Sequence, residues 1–125
     1  MFGGLPTESV TWWSALLSRD GLRAVEVIQW LVDECPDAFV GRPLGEVCAA
    51  TTGAWTDDGE RLRRAIDGGR TPPPPILVST PDLDRLVILE GHNRMIGYTR
   101  LGPAGPPAIE VIVGLTTRAA EWSEW

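Results

Sequence analysis

Apolar positions in this chain fall into helix-like and strand-like stretches, separated by glycine and proline. Pro6 and Thr7 read as a helix entry with Thr7 at the N-cap. Val10, Trp13 and Leu17 then share one helical stripe, which predicts a short helix to about residue 18. Asp20 is placed to cap a second helix, in which Leu22, Val25, Gln29 and Val32 alternate around a face with Ala24, Ile28 and Leu31 until Pro36 stops it. The β-branched run Val25, Val27, Ile28 suits a buried strand as well, and periodicity alone does not separate the two. Gly41-Arg42-Pro43 and Gly45 flank a short helix from Leu44 to Ala50. The next helix carries more signals. Asp57 precedes Glu60 at capping-box spacing, Leu62, Ala65 and Ile66 form the apolar stripe, Glu60 and Arg64 pair at i,i+4, and Gly68-Gly69 closes it.

The second half of the chain turns to period two. Four prolines, Pro72 to Pro75, make a stiff spacer that donates no ladder hydrogen bonds, and Ile76-Leu77-Val78-Ser79 follows as a strand. Pro81-Asp82-Leu83-Asp84 is a turn, so residues 85–90 return as the partner strand of a hairpin. That strand stops at Gly91, a helix runs on to Leu101, Gly102-Pro103 ends it, and Ile109-Glu110-Val111-Ile112-Val113 forms another strand. Thr116 or Thr117 caps a last short helix that carries Trp122. The alternation implies an α+β protein in a single domain over 1–125, with a helical N-terminal part at 1–56, a core at 57–115 and a tryptophan-bearing tail at 116–125.

Composition narrows the function. The chain is 43% hydrophobic with a net charge of −6, and each of its 11 basic residues is arginine. Without lysine there is no Walker-type phosphate clamp, no Schiff base and no lysine general base. Scattered acidic residues and the negative balance disfavour DNA binding by this chain alone. Cys35 and Cys48 lie outside any C-x-x-C spacing and read as reduced thiols, and the lone histidine, His92, has no companion at zinc-ligand spacing, so no metal site is expected. The N-terminus lacks a basic segment followed by a continuous apolar run, and nowhere do eighteen apolar residues run together, so a cytoplasmic protein with no membrane partner is expected. The six tryptophans follow no pattern and read as core and rim packing.

The candidate chemistry sits where the hairpin's second strand meets the helix. Glu90 ends the strand, Gly91 makes the corner, and His92, Asn93 and Arg94 open the helix. The first turn of a helix leaves backbone N–H groups without intrahelical acceptors and carries partial positive charge, so phosphate is a natural ligand there. Gly91 can take a positive φ and admit a ligand close to the backbone, and Arg94 adds a planar cationic fork. The alternative is a plain tight corner in which Arg94 pairs with Glu90.

These pieces, with Pro75-Ile76-Leu77-Val78 before them and Ile109 to Val113 after them, resemble the ParB/sulfiredoxin superfamily over about residues 60–114. The resemblance implies a small α+β domain with a short mixed sheet, preceded here by N-terminal helices. It also implies that Gly91, His92, Asn93 and Arg94 contact nucleotide phosphates. Departures restrict the activity. His92 stands where sulfiredoxins carry their cysteine, and of the partition proteins' Glu-Arg-Arg only Arg94 is matched. About 11 residues follow the last strand, too few for a helix-turn-helix. The branch that survives is nucleotide-dependent phosphotransfer to a small-molecule acceptor, with ATP or another nucleotide and Mg²⁺. Glu90 is then the first candidate base, with His92, Asp82 and Asp84 behind it. The opposing expectation is a non-catalytic nucleotide-binding or protein-interaction module.

Overall fold

A computed structural model describes residues 9–26, 42–50 and 56–122. Its chain order is β1 (Thr11–Ser18), α1 (Arg19–Ala24), α2 (Leu44–Ala50), α3 (Thr56–Asp67), β2 (Ile76–Ser79), β3 (Val87–Glu90), α4 (His92–Leu101) and β4 (Ala108–Leu115). The strands form one mixed sheet in the order β1-β4-β2-β3, in which β4 is antiparallel to β1 and parallel to β2, and β2 and β3 form the hairpin. This is the expected α+β class.

The first element departs from expectation. Residues 11–18 are a strand, not a helix, and all eight pair with β4, from Thr11↔Leu115 to Ser18↔Ala108. Its apolar residues suit either period, because Trp13, Ala15 and Leu17 lie on one side of a strand and Trp12 and Leu16 on the other. A partner strand about a hundred residues away supplies the ladder and decides the matter. The second expected helix is also shorter. Ser18, not Asp20, caps it by accepting the Gly21 N–H at 3.1 Å, and Val25 is already extended. Glu26 then bridges both Val87 and Pro43, so the strand alternative describes Val25 and Glu26 better. The remainder of that predicted helix and the Thr7 cap lie outside the described residues, as do Cys35, Trp30, Trp55 and Trp125.

Several local signals are met. α2 begins beside the end of α1, where the Leu44 N–H donates to the Val25 carbonyl at 2.7 Å. α3 ends in a Schellman motif: the Arg70 N–H reaches the Ala65 carbonyl, the Gly69 N–H reaches Ile66, and Gly69 has φ +77. Glu60 pairs with Arg63 at i,i+3 rather than with Arg64. The side chain of Asp57 lies outside the described set. Pro75 donates nothing, but its carbonyl accepts the Ile112 N–H at 2.9 Å and so starts the parallel ladder. The last expected helix is a single 3-10 turn, Ala119–Glu121, preceded by the Thr116 hydroxyl accepting the Arg118 N–H.

Each face of the sheet carries a buried cluster, while β1 at its edge is exposed along seven of its eight residues. On one, Leu77, Ile88, Ile109, Val111 and Val113 pack with Leu22, Val25, Leu44, Met95 and Ile96 from the helices. On the other, Trp122 packs with Val78, Val87 and Leu89. No helix among the described residues is long and apolar enough to cross a membrane. Trp122 is 2% exposed and is the large side chain of the second face. Trp122→Ala is expected to lower unfolding free energy by about 3 kcal/mol, measured by urea denaturation.

Candidate functional site: the Gly91 corner

The expected corner forms with the expected backbone. Gly91 is the N-cap of α4 in the left-handed region, φ 92 and ψ 31, and no side chain caps the helix. The first amide to close onto it is that of Met95, which donates to the Gly91 carbonyl at 2.9 Å. Among the described residues, no backbone carbonyl accepts from the amides of Asn93 or Arg94. The side chain of Asn93 lies outside the described set.

Two neighbours hold the glycine. A Cβ on Gly91 would stand 3.2 Å from the Pro75 Cα, 3.1 Å from its Cβ and 2.8 Å from Arg94 Nη2. The polyproline spacer thus backs the corner, and the Arg94 guanidinium folds back over it. Arg94 Nε is buried and has no hydrogen-bond partner among the described residues. A buried guanidinium N–H without an acceptor forfeits a charge-assisted hydrogen bond, and an anion at the corner would restore one. Glu90 is exposed, and no ion pair joins it to Arg94 among the described residues.

The other candidate residues separate from this cluster. His92 does not titrate near neutral pH as expected: it is 2% exposed, and burial pushes its pKa down to about 3. A neutral imidazole in that position is part of the packing under the corner. Asp82 and Asp84 sit at the opposite end of β3, roughly 20 Å from the corner at the rise of an extended chain. Asp82 is also engaged, accepting the Thr80 hydroxyl and the Asp84 amide, and these bonds hold its pKa below the ordinary carboxylate value. Neither turn aspartate can serve as a base at Gly91.

A cleft of about 280 Å³ is lined by Arg70 and Thr71, by Pro72 and Pro74 of the spacer, by Tyr98 of α4, and by Ile109 and Glu110 of β4; Gly91, His92 and Arg94 are not in its wall. Pro74 adjoins the Pro75 that touches Gly91, and Tyr98 is one turn beyond Arg94. Burial raises the Tyr98 pKa, and the charge of Arg94 opposes the shift, which places the two side chains within electrostatic reach. Arg70 and Tyr98 were not among the residues expected from sequence. The i,i+4 spacing of Arg94 and Tyr98 on one helix face is the signal that could have found the tyrosine. Among the described residues no group of three His, Cys, Asp or Glu side chains converges to hold a metal ion.

Compared with models of protein families, with curated proteins and with solved structures, the chain matches none.

Two predictions follow from the packing. Gly91→Ala forces a Cβ against the Pro75 backbone at a positive φ, and is expected to cost about 1–3 kcal/mol in denaturant unfolding. His92 binds a proton in the unfolded chain below about pH 6.5 but not in the folded one, so its contribution is full above that pH and lost as pH falls toward 3. The expected loss is about 1.4 kcal/mol for each pH unit below ~6.5. Comparing unfolding midpoints of the native chain and His92→Gln at pH values either side of that point isolates this share.

Proposed function

We propose that this protein binds the phosphate groups of a nucleotide at the Gly91 corner, in the manner implied by its resemblance to the ParB/sulfiredoxin superfamily. The observation that carries the reading is the conjunction at one point of a left-handed glycine, the amides of Asn93 and Arg94 without backbone acceptors, and a guanidinium with a buried, unpartnered Nε. Each satisfies an anion, and together they describe a concave donor set for phosphate oxygens. Arg94 fixes orientation through its planar fork, and His92, neutral at every working pH, adds no competing charge.

The adjoining cleft suits the remainder of such a ligand. Its prolines and Ile109 offer apolar walls, Tyr98 a ring face, and Arg70 and Glu110 polar groups. If transfer to a small-molecule acceptor occurs, Glu90 is the carboxylate at the corner able to take the acceptor's proton, because it is exposed and the turn aspartates are remote. The burial of His92 counts against it as a proton carrier, and this supports the second reading, nucleotide binding without turnover.

Titration of ATP, ADP and CTP, with and without Mg²⁺, against native protein and Arg94→Ala tests the assignment. Binding is expected to weaken at least about tenfold in the variant, the loss of one charge-assisted pair. Affinity indifferent to Arg94 defeats it. Phosphorus NMR of the bound mixture then separates transfer to an added acceptor, stopped by Glu90→Gln, from binding alone.

A further inference from the structure

The two edges of the sheet are treated differently. Beside β3, Glu26 forms a parallel bridge, donating to the Leu86 carbonyl at 2.9 Å and accepting the Ile88 amide at 3.2 Å. Its carboxylate holds Arg85 through a two-pronged ion pair at 3.0 and 3.2 Å. That edge is covered and charged. β1 is the other edge, and among the described residues no strand pairs with its outer side. An open edge presents a row of backbone donors and acceptors, which proteins ordinarily blunt with charge, proline, a bulge or a short length. β1 has none of these. Its eight residues, Thr-Trp-Trp-Ser-Ala-Leu-Leu-Ser, carry no charge and no proline, and their register against β4 is unbroken. Trp12 is 45% exposed, Trp13 58% and Leu16 77%.

We propose that β1 is the contact surface for a second copy of this chain, joined antiparallel about a two-fold axis into a continuous eight-stranded sheet. Three observations select that occupant. First, a copy of net charge −6 is repelled over most of the surface, whereas β1 itself carries no charge and the adjoining Glu110 carboxylate is held by the Ser14 hydroxyl at 3.3 Å, so this strip is where two acidic molecules repel least. Second, an axis near Ser14 sets Trp12 of one copy opposite Leu16 of the other on one face, and Trp13 opposite Ala15 on the other face. On the second of these faces, small residue faces large. The Trp13 indole also meets an apolar groove of about 370 Å³ in the other copy, lined by that copy's own Trp13 together with Ala15, Leu17, Leu77, Leu83 and Val111, so the two indoles pack side by side over it, as aromatic anchors of an interface do. Third, the exposed parts of the two indoles amount to roughly 250 Å² per copy. Doubled, and joined by Leu16 and eight residues of backbone edge, this approaches the ~1,200 Å² at which specific interfaces begin. Because β1 and β3 are opposite edges, the pairing leaves the Gly91 corner open.

Sedimentation and light scattering of the full chain across a concentration series test the pairing. The native protein is expected at twice the 13.6 kDa chain mass. Leu16→Lys and Trp13→Lys are each expected to weaken self-association at least about tenfold, while Ile66→Lys, a like change on α3, leaves it intact. As a check independent of any variant, amide exchange of the native chain should slow in residues 11–18 as concentration rises. A monomer throughout the series, a dimer indifferent to both β1 substitutions, or β1 amides whose exchange ignores concentration would overturn the proposal.

Discussion

The positive φ at Gly91, pressed against the Pro75 backbone, is the constraint from which the arrangement of the C-terminal half follows. A side chain there would meet a proline backbone that cannot retreat, because the Pro75 carbonyl is tied to Ile112 and Ile76 is already in the sheet. The turn ends β3 abruptly and aims α4 back across the sheet, with Met95 and Ile96 in the main core. From the end of α4 the chain returns as β4, parallel to β2 and between β2 and β1. The same conformation leaves the helix without a capping side chain. Structural necessity and the proposed ligand chemistry therefore share a residue: the corner that permits the crossover is also the one proposed to bind an anion through its free amides and guanidinium.

Arginine does the work of positive charge throughout. Arg85 binds Glu26 in a planar two-pronged pair, Arg118 does the same to Glu121, and Arg19 donates to the carbonyls of Gly105 and Pro103, pinning the loop after α4 to the start of α1. A forked, always-charged donor suits such fixed geometry better than a flexible ammonium. Arg94 differs in lying over the Gly91 corner; its buried Nε, like that of Arg19, is engaged by no described atom. Cys48, by contrast, is a half-buried thiol whose pKa is raised by burial, against the opposing charges of Arg100 and Arg23, and it packs against the main core.

Burial sorts the candidate chemistry. Desolvation holds His92 neutral, hydrogen bonds occupy Asp82, and Glu90 remains at the surface. A site with strong anion donors and one nearby carboxylate is better equipped to hold a phosphate than to move protons rapidly, which is why binding stands at the centre of the proposed function and transfer at its edge.

What sequence by itself determined is what the backbone decides within a few residues. The Gly69 helix end, the proline-led strand, the hairpin and the left-handed Gly91 were all legible, because turn chemistry and capping act over one or two turns of chain. Tertiary structure alone decided the rest. Residues 11–18 have no helical or extended preference strong enough to choose, and pairing with β4 chose for them. His92 and Asn93 were equal members of a motif in sequence, but packing sends the imidazole out of water, and no local pattern encodes a burial that depends on distant segments meeting. Glu26, unremarkable in sequence, becomes the guard of one sheet edge only because Arg85 and Val87 arrive beside it. The difference is one of range: conformational preference is local, whereas ladder pairing and desolvation are set by contacts across the fold.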